Sequence, residues 1–458
     1  MSQSSFDKIV EIVRGAMIQH HVPGVALGVV ADGQTYSIGL GITSVDNPLE
    51  VTDDTLFQIG SVSKTYTATA IMRLVEMGKL DLDAPVRRYL PDFRVADESV
   101  AARVTVRHLI THSAGWEGDI FTDTGANDDA LRIYVEQLAG AEQLAPPDTL
   151  FSYNNAAFAV AGRLIEIATG KPYETAMHAL IFAPMGLERS FFFARDLLTF
   201  RFVSGHVVIE DQPKVQRPWS IPRASNPAGG IVCHVKDLLR YARFHMGDGT
   251  AEDGARLLSP ESVQMMQTMQ FPANEEEGDI GLSWMIRRLG EVKTIQHGGA
   301  TLGQSCLLIL APAHKFAVAI LTNCDHGGQV TAEGTKAALK EFLNAEDPIP
   351  AVIEATEEQL KGYLGKYERP SMALDVTLED GSLFLQIIPK VDLGQEEKPP
   401  LPPPIRLAMC SEDQFLVAEG VYKNLRAEFI RRQDGKLGWL RIGARINRRV
   451  EDDAPSEG

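Results

Sequence analysis

Ser61 and Lys64, three positions apart, are the residues of this chain best suited to nucleophilic catalysis. An apolar segment and Gly60 precede them, and the following residues have the apolar spacing of a helix that ends near Gly78. Ser61 is therefore expected at the helix N-terminus, with Lys64 one turn later on the same face. A serine hydroxyl becomes nucleophilic when a base takes its proton, and a lysine that has lost its charge can be that base. The N–H groups and dipole of the helix N-terminus favour the negative charge that develops during attack on a carbonyl.

The Ser-x-x-Lys spacing has little specificity alone, because roughly one or two chance matches are expected in a chain of this length. A second match runs from Ser5 to Lys8, where it opens an amphipathic segment and is better explained as a helix start. The alternative for the first match is that Ser61 is only an N-cap and Lys64 only a solvated helix lysine. Further motifs must decide between these interpretations.

Tyr153 and Asn155 are candidates for a proton donor and an acyl-binding amide. They precede an apolar helix predicted over residues 156–169, with Gly170 as its C-cap. A phenol can transfer a proton when a cation lowers its pKa, and an amide two residues later can bind a substrate carbonyl. The same Tyr-x-Asn pattern recurs at Tyr422–Asn424, within a part of the chain that contains short β-like runs.

His297, Gly298 and Gly299 form a third candidate motif, at the end of a predicted strand. A side-chain donor followed by glycines allows a substrate backbone to lie against an edge strand. The alternative is that His297 is a structural histidine at a strand end. A second His-Gly-Gly, at 326–328, follows the last predicted strand of this region and does not precede a hairpin.

His108 and His112 have the i, i+4 spacing that can bind zinc on a helix. The zinc-protease pattern requires a glutamate after the first histidine, and this chain has Leu109 there. We interpret both histidines as structural, and the sequence predicts neither a metal site nor an organic cofactor.

The composition limits the number of domains and the class of partner. The chain has 458 residues with 44 Lys and Arg and 61 Asp and Glu, a net charge of −17. Two domains are expected at this length, and the acidic balance argues against a nucleic-acid or anionic-membrane partner. The sequence shows neither a leader pattern nor an apolar stretch of about 18 residues, so a cytoplasmic location is the expectation. The four cysteines lack metal-like spacing and are interpreted as buried thiols.

Residues 1–346 have β-runs near both ends, with helices between and after them. This order predicts one antiparallel sheet flanked by helices. The first two runs are joined at Asp32-Gly33, which is a hairpin signal. The runs are 24–30, 35–43, 294–296, 305–310 and 316–322.

A second, all-β domain is predicted over residues 357–458, because short β-like runs alternate there with turns. A segment rich in proline, alanine and acidic residues, 347–356, is the predicted linker to it. The runs of the second domain are 374–378, 383–388, 414–417, 427–431 and 437–442.

The three motifs, in this order, resemble those of the serine β-lactamase-like family, which includes class C β-lactamases, DD-peptidases, esterases and D-amino-acid peptidases. The resemblance extends to segments 108–115, 226–231 and 281–284 and covers about residues 5–345. In that family the third motif precedes two adjacent long strands, which selects His297 over His326. The resemblance implies an α+β fold of the β-lactamase/transpeptidase type, with an antiparallel sheet flanked by helices plus an all-α cluster.

The predicted all-β domain is similar to the lipocalin-like barrel attached to some family members. These include D-amino-acid peptidases that assemble into oligomers. The resemblance therefore implies a lipocalin-like C-terminal barrel and a homo-oligomer, and the barrel is expected either to cap the cleft or to mediate assembly.

The resemblance also implies a role for each motif residue. The catalytic residues would be Ser61 as nucleophile, Lys64 as its base, Tyr153 as proton donor to the leaving group, and His297 as a support for Tyr153 and the substrate. Substrate would be bound by Asn155, Gly298 and Gly299, and the oxyanion hole would consist of the backbone N–H groups of Ser61 and Ala300. β-Lactamases of this type usually have Lys-Thr-Gly as the third motif, where the lysine binds the substrate carboxylate. His-Gly-Gly here points to esters, amides or peptides, with β-lactam turnover only as a side activity.

The expected function is that of a serine hydrolase that forms an acyl-enzyme at Ser61. Its expected substrates are small esters, amides or short peptides, and the resemblance adds peptides with D-residues. An acyltransferase would use the same chemistry and differ in water access to the acyl-enzyme. The alternative from another class is a catalytically silent protein that binds peptides or cell-wall fragments, which the intact Ser61, Lys64 and Tyr153 argue against.

Overall fold

The computed structural model describes residues 3–274, 278–390, 401–420 and 422–450. Residues 451–458 of the predicted β domain therefore lie outside the described residues. The α-helices are α1 (Gln3–Gln19), α2 (Ser63–Glu76), α3 (Glu98–Arg103), α4 (Val106–Ile110), α5 (Ala130–Gln137), α6 (Asn155–Thr169), α7 (Tyr173–Met177), α8 (Asn226–Gly229), α9 (Val235–Met246), α10 (Pro260–Met266), α11 (Gly327–Leu343) and α12 (Glu357–Lys361).

The strands follow in the same chain order. They are β1 (Gly24–Ala31), β2 (Gln34–Gly41), β3 (Phe57–Gln58), β4 (Ser190–Phe191), β5 (His206–Ile209), β6 (Gln212–Val215), β7 (Val232–Cys233), β8 (Phe271–Asn274), β9 (Gly278–Ile280), β10 (Met285–Leu289), β11 (Val292–Thr301), β12 (Gln304–Ala311), β13 (Phe316–Thr322), β14 (Gly365–Arg369), β15 (Met372–Glu379), β16 (Ser382–Pro389), β17 (Ile405–Ser411), β18 (Gln414–Val417), β19 (Arg426–Arg431), β20 (Leu437–Ile442) and β21 (Arg445–Arg449).

An eight-stranded antiparallel sheet, in the order β2-β1-β13-β12-β11-β10-β9-β8, forms the centre of the first domain. Strand β1 is buried along its whole length because helices cover both of its faces. Val25, Leu27 and Val29 face a core shared with α1 and α11, whereas Ala26 and Val30 belong to the core that contains α9. Burial on both faces explains the continuous apolar run in the sequence.

A helical cluster lies beside this sheet, centred on α6. Helices α2, α4, α5, α7 and α8 all contact α6. Helix α6 is apolar on most of its surface and ends at Gly170, whose φ of +68° provides the left-handed C-cap. The predicted α+β architecture, with an antiparallel sheet, flanking helices and a helical cluster, is confirmed.

A closed eight-stranded barrel, β14–β21, forms the C-terminal part of the described chain, and β14 pairs with β21 to close it. Its interior is filled by aromatic and aliphatic side chains, with Tyr363 and Phe415 packed on Phe429. The prediction of a small all-β barrel is thus confirmed. Residues 344–356 connect α11 to α12 without helix or strand.

The barrel packs directly on the first domain through β20, β21 and the turn between them. Ala444 in this turn packs with Phe151, Tyr153 and Met285. The Trp439 indole N–H donates to the carbonyl oxygen of Leu144 at 3.1 Å. The barrel is therefore part of the surroundings of Tyr153.

Three of the four cysteines, Cys233, Cys306 and Cys324, are buried thiols as predicted, whereas Cys410 is half-buried. In the described part of the chain, no helix combines the length and the apolar character that crossing a membrane requires.

Candidate active site

Ser61 and Lys64 meet where a 3-10 turn, Gly60–Val62, continues into α2. The Lys64 side chain is fully buried, and its Nζ lies 2.9 Å from Ser61 Oγ. The same Nζ donates to the carbonyl oxygen of Ala228, at 2.7 Å. The spacing read from the sequence therefore produces a direct hydrogen bond between hydroxyl and amine.

The surroundings of Lys64 disfavour its protonated form. Both hydrogen-bond partners are neutral oxygens, so burial is not offset by a bonded carboxylate. Burial therefore lowers the pKa of Lys64 well below its usual value; nearby Arg445 lowers it further, and Asp119 opposes the shift. A neutral amine at this position can accept the proton of the Ser61 hydroxyl.

Tyr153 lies next to this pair, with only 6% of its surface exposed. Lys64 Nζ is 4.8 Å from the centre of the Tyr153 ring, and the Arg445 guanidinium carbon is 4.7 Å from it. The imidazole of His112 stacks on the same ring at 4.3 Å between centroids. Two basic side chains and one imidazole therefore surround the Tyr153 ring.

His112 contributes to this arrangement through its orientation. Its Nδ1 accepts a hydrogen bond from the Asn154 backbone N–H at 2.9 Å, which places the ring proton on Nε2. Burial, together with Lys64 nearby, lowers the pKa of His112 well below its usual value. A neutral His112 thus fixes the start of α6 and the position of the Tyr153 ring.

His297 lies inside β11, not at a strand end as predicted. The strand continues to Thr301 because Gly298 and Gly299 still pair with β12, opposite Leu307 and Cys306. His297 Nδ1 is 2.6 Å from the carbonyl oxygen of Gly298, so this nitrogen is the donor. Burial lowers the pKa of His297 to about 3, so the ring is neutral at neutral pH.

The predicted oxyanion donors are brought close together by two glycines. Gly60 has φ +51°, and a Cβ there would lie 2.5 Å from Ala300 N. A Cβ on Gly299 would overlap the carbonyl oxygen of Ile59 and lie 2.9 Å from Ser61 N. Only residues without a side chain allow β11 to approach the Ser61 turn this closely.

Asn155, the first residue of α6, donates from Nδ2 to Asp119 Oδ1 at 2.8 Å. Asp119 also accepts from two barrel arginines, Arg369 Nη1 at 2.8 Å and Arg445 Nε at 2.9 Å. Arg445 and Arg369 hold the pKa of Asp119 at about 2 despite its burial. The predicted acyl-binding amide is therefore anchored to an ionised carboxylate that is shared with the barrel.

The second copies of the three motif patterns lie outside the candidate site. Ser5 and Lys8 lie on α1, where both bind the surface carboxylate of Glu341. Residues 422–424 lie in an exposed barrel turn, and His326 precedes α11. His108 Nε2 lies 2.6 Å from Asp148 Oδ2, away from His112. Within the described ranges, no cluster of three or more His, Cys, Asp or Glu side chains is arranged to hold a metal ion.

Sequence reasoning missed four residues of this site. They are Asp119, His112, Arg369 and Arg445. Asp119 binds Asn155, Arg369 binds Asp119, and Arg445 lies over the Tyr153 ring, each from a distant part of the sequence. His112 contacts Tyr153 by ring stacking. Asp119, Arg369 and Arg445 belong to no spacing pattern associated with catalysis. The local signals near the site were the i, i+4 pair of His108 and His112, which was interpreted as structural, and the family resemblance of segment 108–115.

Comparisons with known proteins identify relatives of this chain. A family model described as Beta-lactamase matches residues 9–341. The chain is 37% identical over 324 residues to Penicillin-binding protein 4 of Amycolatopsis lactamdurans, which covers 69% of this chain and 83% of that protein. It spans 60% and 59% of the length of two further curated relatives.

Two solved structures share almost the whole architecture, including the barrel. The crystal structure of SurE with D-Leu superposes with a TM-score of 0.76 at 27% identity, covering 98% of this chain and 100% of that one. The octameric penicillin-binding protein homologue from Pyrococcus abyssi has a TM-score of 0.65, covering 96% of this chain and 99% of that chain. Its identity of 24% shows the fold alone.

Proposed function

Because this chain belongs to the Beta-lactamase family of serine hydrolases, we propose that it forms an acyl-enzyme at Ser61. The observation that carries the proposal is the environment of Lys64. This lysine is fully buried, lies 2.9 Å from Ser61 Oγ and has no carboxylate among its two hydrogen-bond partners. Such surroundings favour the neutral amine, and a neutral amine beside a serine hydroxyl supports a role for both in nucleophilic catalysis.

The proposed acylation uses Ser61 as nucleophile, Lys64 as base and Tyr153 as acid. Lys64 takes the proton of Ser61 as Oγ attacks the substrate carbonyl, and the N–H groups of Ser61 and Ala300 stabilise the oxyanion. Tyr153 gives a proton to the leaving group, so that an amine or alcohol departs and an ester to Ser61 remains. Water then attacks this ester by the same steps in reverse order and releases the acid.

His297, Gly298 and Asn155 are proposed to position the substrate. The centroid of the neutral His297 ring lies 6.1 Å from that of the Tyr153 ring. The Nδ1–H of His297 donates a hydrogen bond to the carbonyl oxygen of Gly298. Asn155 is proposed to bind the carbonyl of the acyl-side amide. An added Cβ at Gly298 would come no closer than 3.9 Å to its neighbours, so Gly298 is proposed to leave room for substrate backbone alongside β11. The space at Gly299 is filled by the carbonyl oxygen of Ile59.

We propose small esters, amides and short peptides as substrates, including peptides with D-residues. The third motif has a neutral histidine where a substrate carboxylate would need a cation, so efficient β-lactam turnover is not expected. The similar SurE was crystallised with D-Leu, which supports a D-residue as part of the substrate.

We further propose that residues 1–346, 347–356 and 357–458 are hydrolase domain, linker and barrel domain, and that the protein forms homo-oligomers. The similar penicillin-binding protein homologue from Pyrococcus abyssi is octameric, which supports assembly. The mass of the protein in solution, measured by light scattering, tests this: a monomer at micromolar concentration would reject it.

Mass spectrometry after reaction with a p-nitrophenyl ester or a fluorophosphonate tests the nucleophile. We expect an adduct on Ser61 in the wild type and in the control Ser5→Ala, and no adduct in Ser61→Ala. Absence of both the adduct and ester turnover in the wild type would favour the silent binding protein.

Adding an amine or alcohol acceptor to the ester assay separates hydrolysis from acyl transfer, because an acyltransferase would form the coupled product in preference to the acid.

A further inference from the structure

Asp119 is the meeting point of the proposed active site and the barrel. Its side chain is 11% exposed and lies in the loop that follows Trp116. Oδ1 accepts from Asn155 Nδ2 at 2.8 Å and from Arg445 Nη2 at 3.2 Å. Oδ2 accepts from Arg369 Nη1 at 2.8 Å and from Arg445 Nε at 2.9 Å. Each carboxylate oxygen therefore serves two donors.

This contact determines which way the Asn155 amide faces. An ionised carboxylate can only accept, so the atom of Asn155 that faces Asp119 must be the NH₂ group. One hydrogen of Nδ2 is used in this bond, and the second hydrogen and Oδ1 remain for a substrate. Without Asp119 the amide could rotate by half a turn and exchange donor for acceptor.

The charge of Asp119 is maintained by the barrel. Arg445 and Arg369 are its only cationic partners among the contacts described, and Arg369 also binds Glu117 at 3.1 Å. A buried carboxylate is costly unless it is paired and its lone pairs are filled. Here two arginines from the barrel and two carboxylates from the first domain balance one another, so docking of the barrel and ionisation of Asp119 depend on each other.

We propose that Asp119 is a positioning residue that orients the Asn155 amide toward the acyl-side carbonyl of the substrate, and that Arg369 and Arg445 of the barrel hold it there. This inference rests on the proposed function. It makes the barrel a determinant of substrate choice: substrates with an amide on the acyl side benefit from Asp119, and simple esters do not.

Two esters with the same leaving group separate positioning from general damage. p-Nitrophenyl acetate has no acyl-side amide, whereas the p-nitrophenyl ester of N-acetyl-D-alanine has one. Asp119→Asn replaces one acceptor oxygen by a donor and cannot serve Asn155 and both arginines at once. We expect it to lower the ratio of kcat/KM for the amide-containing ester to kcat/KM for p-nitrophenyl acetate about tenfold or more, since a bond to a charged group is lost. The accompanying change in the pKa of Lys64 affects both esters alike and cancels in this ratio.

A double-mutant cycle with Asn155→Ala identifies the route of the effect. If Asp119 acts through Asn155, Asp119→Asn lowers the kcat/KM ratio of the two esters no further in the Asn155→Ala background. Independent effects that multiply in the double variant, or equal losses for both esters, would overturn the proposal. Arg369→Gln is the variant to use should Asp119→Asn fold poorly, and it is expected to shift the preference between the two esters in the same direction.

Asp413→Asn is the matched control. Like Asp119 with Arg445, Asp413 accepts two hydrogen bonds from one arginine, from Arg431 Nε at 2.7 Å and from Nη2 at 2.8 Å. This pair lies within the barrel. The substitution should leave the ratio of the two esters unchanged. Fluorophosphonate labelling of Ser61 is measured in every variant. If Asp119→Asn is labelled but its preference between the two esters is unaltered, the positioning role of Asp119 is rejected and the proposed nucleophile is retained. A wild type that is not labelled rejects the proposed nucleophile and this inference with it.

Discussion

The backbone N–H of Tyr153 donates a hydrogen bond to the carbonyl oxygen of Ala444, across 2.8 Å. Ala444 belongs to the β20–β21 turn of the barrel and has φ +65°, a left-handed conformation that residues other than glycine rarely adopt. Its side chain packs on Phe151 and Tyr153. A strained turn of one domain thus fixes the backbone of the proposed proton donor in the other.

Substituting Ala444→Val is expected to impair both stability and catalysis. A β-branched residue at φ +65° is strained, at a cost of about 1–3 kcal/mol, and relief of this strain moves the carbonyl oxygen away from Tyr153. Loss of that hydrogen bond should reduce kcat about tenfold. Urea unfolding and ester turnover measure the two effects.

The control is Asn424→Val, in an exposed barrel turn where φ is +71°. It introduces the same backbone strain without a contact to Tyr153. We expect a similar loss of stability and an unchanged kcat. Equal losses of kcat in both variants would show that strain alone, and not the contact with Tyr153, explains the effect.

The pH dependence of acylation should respond in opposite directions to two substitutions near Lys64. Only neutral Lys64 is a base, so the rate rises with pH through its pKa, which lies well below the usual lysine value. Arg445 lowers that pKa, so Arg445→Gln should move the acid limb to higher pH. Asp119 raises it, so Asp119→Asn should move the limb to lower pH.

Rates of Ser61 labelling by a fluorophosphonate between pH 5 and 10 measure these shifts. Lys8→Gln, on the exposed surface of α1, is the control and should leave the limb in place. A shift in the same direction for Arg445→Gln and Asp119→Asn would contradict the assignment of the limb to Lys64.

Much of the fold could be predicted because its signals are local. The apolar runs of β1 and β13 and the 3.6-residue spacing of α9 mark elements whose burial is decided by neighbours in sequence. Strands β14, β17 and β21 gave no such signal. Strand β21 reads Arg-Ile-Asn-Arg-Arg, and its pairing with β14 is specified only when the barrel closes.

The candidate site also has one part that local spacing predicts and one part that it does not. Ser61 and Lys64 meet through one turn of helix, so their spacing predicts their contact. Arg445 and Asp119 are 326 positions apart, and the charge of neither distinguishes it from the many other ionised residues of the chain. Their contact forms only when the two domains pack together, and no periodic pattern in a single sequence predicts such packing.

Close packing at Gly299 predicts that Gly299→Ala disrupts the proposed oxyanion hole. The added Cβ would overlap the carbonyl oxygen of Ile59 and lie 2.9 Å from Ser61 N, so either β11 or the Ser61 turn must move. Displacing one oxyanion donor costs roughly a hundredfold in rate. We therefore expect fluorophosphonate labelling of Ser61 to slow by about this factor.

Gly328→Ala provides the comparison for that variant. Gly328 lies in the first turn of α11, in the second His-Gly-Gly, and a Cβ there meets no atom within 4 Å. Its labelling rate should equal that of the wild type, and its stability should change by less than about 1 kcal/mol. Normal labelling in Gly299→Ala would mean that the Ser61 N–H is not a required donor.

The buried neutral His297 should make the protein less stable as the pH falls. Its pKa is about 3 when folded and 6.5 without burial, so between these values only the unfolded chain binds the proton. The free energy of unfolding then decreases by about 1.4 kcal/mol for each pH unit, or about 2 kcal/mol from pH 6.5 to 5. Urea titrations of His297→Gln should lack this share of the decrease, whereas the exposed His314→Gln should retain it. Equal pH dependence in His297→Gln and the wild type would show that His297 has the same pKa in the folded and unfolded protein, and therefore that the third motif presents a cation to the substrate at acidic pH.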